Sequence, residues 1–256
     1  MALAFLVNLL TARYLGPSNY GLVNYAALYT AFFTSFATLG LSSLLLKDFM
    51  DDPEGAGTTV GTAIAMRLLS SVMSAVTILA IVAVVDRGDR LTMTVVALYS
   101  MSLIFQAFDT IQYWFQSRLE SKYATIATSV GYIIVSFYKV LLLVLGKDVR
   151  WFAISNTIDY AVAAIVFLGL YKWRGGPRLH ISPAKGRALL RQSGSFILCG
   201  LMVSVYNCTD RFMLKHLLDE ASVGYYATAT SLATVWTFVL SAIIDSITPG
   251  IMQAHR

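Results

Sequence analysis

Charged residues are scarce in this 256-residue chain: Asp, Glu, Lys and Arg together make up 13% of it, whereas hydrophobic residues make up 57%. Soluble domains contain about 25% charged residues, so this composition excludes an ordinary soluble domain. Apolar runs of about 20 residues, the length that a helix needs to cross a bilayer, recur along the chain. The sequence therefore predicts an integral membrane protein.

Cysteine and histidine are also rare, with two and three residues respectively. Cys199 and Cys208 share one predicted span at a separation that does not suit a metal site, and they are predicted to pack as small hydrophobic residues. The chain has no phosphate-cradling Walker loop, and the glycines of "GTTVGTAIAM" are predicted to serve helix packing. We therefore predict no metal, no cofactor and no enzyme activity. A membrane glycosyltransferase would have acidic loops, whereas the longest loop here is basic.

The apolar runs predict an all-α integral membrane protein of about eight transmembrane helices, since backbone groups in lipid must bond within their own segment. The alternating segments of a β-barrel, each about 10 residues long, are absent. The first run is too short to span and lacks the features of a signal peptide, so we predict a partial chain. The predicted segments are 1–11, 22–46, 58–85, 92–111, 123–146, 152–171, 192–214 and 224–248.

Basic residues are unevenly divided between alternate loops. One set of loops holds ten Lys and Arg and the other holds six, and "KWRGGPRLHISPAKGRALLR" supplies most of the difference. The positive-inside rule puts the richer set in the cytoplasm. Topology and anionic lipid head groups account for the net charge of +5, so nucleic acid is not predicted as a partner.

A weak internal repeat relates the two ends of the chain. At an offset of 203 residues, "YLGPSNYGLVNYAALYTAFF" aligns with "LLDEASVGYYATATSLATVW", so that Gly21 matches Gly224 and Phe33 matches Trp236. Parallel repeats of this kind are common in transporters. The repeat predicts a first bundle of six helices in 1–171, a basic cytoplasmic linker in 172–191, and the first two helices of a second bundle in 192–256.

The stretch "ARYLGPSNYG" is typical of a tight connection between two helices. Pro17 fixes its own φ angle, and Gly16 and Gly21 tolerate unusual backbone angles. Tyr14 and Tyr20 are predicted at head-group depth.

These residues resemble a known family. "ARYLGPSNYGLVNYAAL", "FATLGLSSLLLKD" and "YNCTDRFMLKHLLDEASVGYYATATSL" are similar to the oligosaccharide flippases of the multidrug/oligosaccharidyl-lipid/polysaccharide exporter superfamily. The resemblance covers the chain but only about eight of the family's roughly twelve to fourteen helices. It implies a flippase that moves undecaprenyl-pyrophosphate-linked sugar repeat units to the periplasmic leaflet of a bacterial inner membrane. It also implies membrane lipid, polysaccharide polymerase and chain-length proteins as partners.

Charges inside predicted spans are the candidate site residues, because a charge in the bilayer needs a wet cavity or a partner. Three cations, Arg67, Lys139 and Arg211, are predicted to neutralise the pyrophosphate during alternating access, and arginine suits phosphate through its paired donors. The candidate carboxylates for a coupling ion are Asp109, Asp159 and Asp245. Asp109 and Asp245 are expected near cytoplasmic helix ends. Arg211 and Asp210 are expected near the periplasmic surface, where a local ion pair or a helix end explains them at least as well as a substrate site does.

Five predicted helices place Ser, Thr, Asn or Tyr on the same face as these charges, as in Arg67, Ser71 and Ser74. Such stripes suit either a hydrated cavity or close helix packing. Two other functions stay open at this point. A cation-coupled multidrug antiporter would use the carboxylates, and an inactive fragment or scaffold would use none of these residues.

Overall fold

The computed structural model describes residues 2–233, with side chains from residue 6 onward. Within that range the regular secondary structure is helical, without a strand. The helices are α1 (Ala2–Ala37), α2 (Ser42–Asp51), α3 (Ala56–Val85), α4 (Arg90–Ser100), α5 (Ser102–Gln106), a 3-10 turn (Ala107–Asp109), α6 (Thr110–Ser117), α7 (Ser121–Val144), α8 (Val149–Trp173) and α9 (Pro183–Leu217). A further helix, α10, covers 220–233 and meets the end of the described part.

Six helical segments of the described part are long and apolar enough to cross a membrane, which confirms the all-α membrane class. They are Leu6–Asp51, Ala56–Val85, Arg90–Ser117, Ser121–Val144, Val149–Trp173 and Pro183–Leu217. The first has 46 residues and, if straight, would measure about 70 Å, more than twice the hydrocarbon thickness. The predicted span 224–248 lies mostly outside the described residues.

The chain reverses direction inside α1, at Gly16. Before Gly16, the contacts follow α7 toward its end: the side chain of Asn8 meets Lys139, and that of Tyr14 meets Lys147. After Gly16, the contacts follow α3 backwards, since Tyr25 bonds Asp86 just beyond the end of α3 and Phe36 bonds Ser70 near its middle. The first of the six segments is therefore a helical hairpin and not one straight span.

Gly16 makes this reversal with φ 73° and ψ 171°, a conformation open essentially to glycine alone. The predicted helix connection at "LGP" is thus confirmed. The first helix continues about one turn beyond its predicted end at residue 11, since the backbone stays helical up to Gly16.

Two predicted spans are interrupted. The span 22–46 breaks after Ala37, where Leu39 and Gly40 have φ angles of 54° and 57°. The span 92–111 breaks at Met101 and again at the 3-10 turn, and α6 then carries it on to Ser117. Hydropathy averages over a window, so it does not detect either break.

The core has two apolar clusters, one toward each end of the bundle. The cluster near the α3–α4 loop contains Leu22, Tyr25, Tyr29, Ile78, Val95, Leu103 and Phe152. The other, toward the linker after α8, contains Leu41, Phe49, Val60, Ile111, Trp114, Phe115 and Phe167. We call the second end the basic end of the bundle, since the predicted cytoplasmic linker 172–191 lies there. The polar residues described below lie between these clusters and around them.

The linker after α8 crosses the first turns of α3 as an extended segment, 177–182, which we call the strap. The backbone N–H of His180 donates to the Gly57 carbonyl at 3.3 Å, and that of Ser182 donates to Thr62 Oγ1 at 2.9 Å. A Cβ at Gly61 would lie 2.5 Å from the His180 carbonyl oxygen. The glycines of "GTTVG" therefore admit the strap backbone, rather than only a neighbouring helix as predicted.

An ion pair fixes the start of α9 beside the strap. Lys185 Nζ lies 2.8 Å from Asp48 Oδ1, and Thr59 donates to the other carboxylate oxygen at 2.7 Å. Gly186 then packs on Thr62 and Met66. Helix α9 thus begins at Pro183, inside the predicted linker, and its first turns pack on the first bundle. The division of the chain into two bundles stays a prediction.

Candidate functional site

Residues of the Gly16 hairpin and of α4, α7 and α8 line a polar cavity of about 290 Å³. The hairpin places Asn8 and Asn24 at the same depth, although sixteen residues separate them. The lining residues come from four helices and are mostly amides, hydroxyls and tyrosines. They are Asn8, Thr11, Tyr20, Val23, Asn24, Ala27, Tyr99, Tyr132, Lys139, Phe152, Ser155, Asn156, Asp159 and Tyr160.

Lys139 and Asp159 are the charged residues of this lining. Lys139 Nζ donates to Asn8 Oδ1 at 3.3 Å, and the Asp159 carboxylate attracts the same ammonium across the cavity. A Cβ at Gly131 would lie 2.8 Å from Asp159 Oδ1, so the glycine provides room for the carboxylate against α7. The structure thus brings together one predicted cation and one predicted carboxylate.

A second charge cluster surrounds Arg67, whose residue is only 3% exposed in the interior of the first bundle. Its Nη1 donates to Thr110 Oγ1 at 3.0 Å, and the Asp109 carboxylate acts on it as an opposite charge. Asp109, expected near the cytoplasmic end of its helix, is followed there by the eight residues of α6. The buried side chain of Arg67 is therefore partly compensated by a carboxylate two turns inside the helical segment.

Several donors of this second cluster have no hydrogen-bond partner within the described residues. They are Arg67 Nε, Ser71 Oγ and Ser102 Oγ, all buried. Arg67, Ser71 and Ser74 share one buried face of α3, as their spacing predicts. The facing segment contains the 3-10 turn Ala107–Asp109, so the backbone is irregular where it meets the charge.

The third predicted cation, Arg211, lies near the end of α9. The predicted alternative of a direct Asp210–Arg211 ion pair is not what the described contacts show. The Asp210 carboxylate accepts from the backbone N–H of Arg211 at 2.8 Å and from the hydroxyl of Tyr226. Arg211 Nε is buried and lacks a hydrogen-bond partner among the residues described. Asp245, the remaining candidate, lies outside the described residues.

The glycines that the internal repeat aligns contact each other. A Cβ on Gly21 would overlap the Glu220 carbonyl and lie 3.1 Å from Gly224 N, while a Cβ on Gly224 would overlap the Pro17 carbonyl and lie 3.2 Å from Gly21 N. The offset of 203 also pairs Pro17 with Glu220. Each copy therefore contacts the other through the same two positions, as an isologous contact about a local two-fold axis does.

Sequence reasoning missed most of the cavity. Asn8, Asn24 and Asn156 were each visible as amides within apolar segments, where a polar group needs a partner. Their convergence depends on the Gly16 reversal and on which helices pair, which the sequence does not specify. Of the two cysteines, Cys208 is buried as predicted and Cys199 is exposed, so the packing prediction holds for one of them. No group of three or more His, Cys, Asp or Glu that could hold a metal occurs in the described part of the chain.

The fold and the cavity define a multi-pass helical membrane protein whose interior carries paired charges. Comparison with known families matches residues 1–255 to the family described as "Polysaccharide biosynthesis protein". The chain belongs to this family. Comparison with curated proteins gave no match, and comparison with solved structures gave none either. The family supports a role in membrane transport for polysaccharide biosynthesis.

Proposed function

We propose that the protein is a flippase that moves undecaprenyl-pyrophosphate-linked oligosaccharide repeat units from the cytoplasmic to the periplasmic leaflet of a bacterial inner membrane. It moves its substrate without breaking or forming covalent bonds. In this proposal, the first bundle (1–171) and a second bundle that begins at residue 192 alternate access to the site. The lipid tail stays in the bilayer while the sugars cross through polar surroundings.

The observation that carries this proposal is that both candidate carboxylates of residues 1–171 lie within electrostatic reach of a candidate cation. Asp109 acts on Arg67, and Asp159 acts on Lys139. The interior is therefore close to neutral before substrate enters, and an anionic pyrophosphate meets fixed cations. A cationic drug would have to compete with them for the same carboxylates.

The cavity lining supports a glycan as the hydrated part of the substrate. Asn8, Asn24 and Asn156 have amide groups that can both donate and accept, which suits sugar hydroxyls. Four tyrosines, Tyr20, Tyr99, Tyr132 and Tyr160, complete the polar wall. Lys139 is the cation best placed to meet substrate, while Arg67 is more deeply buried.

The isologous contact of Gly21 with Gly224 supports alternating access. Two repeats that meet about a two-fold axis can rock against each other without change inside either one. Helices α1 and α10 approach closely here because neither glycine has a side chain. Separation of this contact would open the end of the protein opposite to the basic end.

A second candidate is the cation-coupled multidrug antiporter. Asp159 with four cavity tyrosines is a combination that attracts organic cations. The two functions differ in the sign of the transported charge. They therefore predict opposite effects when the interior cations are removed.

The test is translocation of a fluorescent undecaprenyl-pyrophosphate oligosaccharide in vesicles that contain the purified protein. A parallel set of vesicles is loaded with a cationic dye under a proton or sodium gradient. Lipid movement supports the flippase, dye export supports the antiporter, and loss of both from folded protein supports a scaffold that holds polymerase and chain-length proteins.

Variants sharpen this experiment. Arg67→Ala and Lys139→Ala should each abolish lipid movement, because the pyrophosphate loses a fixed cation. Arg67→Lys retains the charge and separates charge loss from core disruption. Arg87→Ala removes an exposed loop cation and is the matched control. Normal transport by a well-expressed Arg67→Ala protein would remove Arg67 from the proposed site.

A further inference from the structure

The polar cavity has the ligand types that an alkali metal ion prefers. Hard cations are bound by oxygen, from carboxylates, amide carbonyls and hydroxyls. Asp159 supplies a carboxylate, and Asn8, Asn156 and Ser155 supply neutral oxygens within the same cavity. Taken without Lys139, this lining would be a reasonable site for Na⁺.

Lys139 argues against a sodium site, because its ammonium is already a cation in this cavity and bonds one of the cavity's oxygens. Nζ donates to Asn8 Oδ1 at 3.3 Å, and Asp159 acts on it as the opposite charge. The side chain comes from α7, whose Gly131 contacts the Asp159 carboxylate two turns earlier. The cation and the carboxylate are thus held on opposite sides of one small space by two packed helices.

A second monovalent cation in this space would be repelled by the ammonium while gaining only the one carboxylate. The repulsion is strong because charges in a membrane interior are poorly screened. A proton differs from Na⁺ in this respect, since it neutralises a carboxylate by a covalent bond and needs no coordination sphere.

We propose that the Lys139 ammonium is the resident cation of this cavity, and that it excludes the free sodium ion that Asp159 and the neutral oxygens would otherwise bind. The exchangeable ligand of Asp159 is then a proton. The exclusion of Na⁺ by Lys139 does not depend on the proposed function. The consequence that transport is coupled to protons and not to Na⁺ does rest on it.

The groups that face Asp159 in this cavity come from every packed element. They are Lys139 and Tyr132 of α7, Tyr20 of α1, Tyr99 of α4 and Tyr160 of α8, with Asp109 of the 3-10 turn close enough to act electrostatically. Lys139 is the single cation in this set. Its removal therefore leaves a net negative cavity with oxygen ligands.

The experiment measures binding of ²²Na⁺ to purified protein in nanodiscs, in the absence of any lipid-linked sugar. Five proteins are compared: wild type, Lys139→Met, Lys139→Arg, Asp159→Asn and the double variant Lys139→Met/Asp159→Asn. Methionine keeps much of the lysine side chain's length without its charge, and arginine keeps the charge. Circular dichroism and gel filtration establish that each protein is folded.

We expect saturable Na⁺ binding by Lys139→Met with an affinity at least tenfold above that of wild type. Lys139→Arg should behave as wild type, and the double variant should lose the gained binding. Folded Lys139→Met that binds no more Na⁺ than wild type would overturn the proposal. Saturable binding by wild type that Asp159→Asn abolishes would overturn it as well, and this comparison does not depend on Lys139→Met.

Failure of the lipid translocation assay would leave this binding result unchanged, so the two proposals fail separately. Where translocation is observed, replacing Na⁺ by choline should not alter its rate in wild type. Acceleration by an imposed pH gradient would agree with the proposal, and acceleration by a sodium gradient alone would contradict it.

Discussion

Substitution of Gly224 by Ala tests the isologous contact between α1 and α10 directly. The new Cβ would overlap the carbonyl oxygen of Pro17 and lie 3.1 Å from its carbonyl carbon and 3.2 Å from Gly21 N. Ordinary carbon contacts lie at about 3.5–4.0 Å. All of these neighbours are backbone atoms, so no rotamer change can relieve the overlap. The two helices must therefore separate by about 1 Å or more.

Overpacking of this kind costs about 1–3 kcal/mol. Applied to an equilibrium between closed and open forms, that energy shifts the population away from the closed contact by about 5- to 150-fold. Gly21→Ala adds a Cβ that would lie 2.8 Å from the Glu220 carbonyl carbon and should act in the same direction. The double variant should cost less than the sum of the two, because both changes act on one contact.

The assay is the distance between spin labels at Asn19 and Tyr225, two exposed positions near the contact, after both native cysteines have been replaced. Gly224→Ala should lengthen that distance. Gly169→Ala is the matched control, since a Cβ there meets nothing within 4 Å. If Gly224→Ala gives the same distances and the same thermal stability as Gly169→Ala, the contact does not hold these helices together.

Three further changes address the hairpin, the strap and a helix cap. Gly16→Ala should lower the free energy of unfolding in detergent by about 1–3 kcal/mol, because alanine tolerates φ 73° and ψ 171° poorly. A stability equal to that of wild type would contradict the reversal at Gly16. Gly61→Ala should displace the His180 carbonyl and raise the rate of proteolysis in the strap, and an unchanged rate would show that the strap is held elsewhere. Asp89 caps the start of α4, and the hydrogen bond that it accepts from Thr92 lowers the pKa of its carboxyl. At neutral pH, Asp89→Ala should lower the free energy of unfolding by about 1 kcal/mol. The stabilisation by the charged cap is fully present above the ordinary carboxyl pKa of about 4, and it is lost as pH falls through the lowered pKa of Asp89. The difference in melting temperature between wild type and Asp89→Ala should therefore become smaller in acid.

The membrane class and the turn at Gly16 were predictable, whereas the site was only partly so. The length of the apolar runs predicts the membrane class, and Leu-Gly-Pro between two apolar runs predicts the turn. Lys139 and Asp159 were visible as charges in spans, but twenty residues separate them. Their meeting depends on the pairing of α7 with α8, which is set by packing around Gly131 and not by hydropathy.

The irregular backbone was not predictable for a different reason. Hydropathy windows through 92–111 average over Gln106 and Asp109, so a 3-10 turn that faces α3 has no signature in them. The strap was missed because the glycines at 57 and 61 have the spacing of an ordinary helix crossing. In the structure an extended segment lies in this groove in place of a helix, as the hydrogen bond from His180 N–H to the Gly57 carbonyl shows.

The strap also has a consequence for the order of biogenesis. Its backbone bonds join residue 180 to residue 57, so the groove on α3 stays open until the ribosome has added the intervening 123 residues. At about 5–20 residues per second, that interval lasts about 6–25 s. During this time α3 through α8 must enter the membrane with the glycine groove uncovered. The groove on α3 is therefore closed by a segment that is made after α1 to α8.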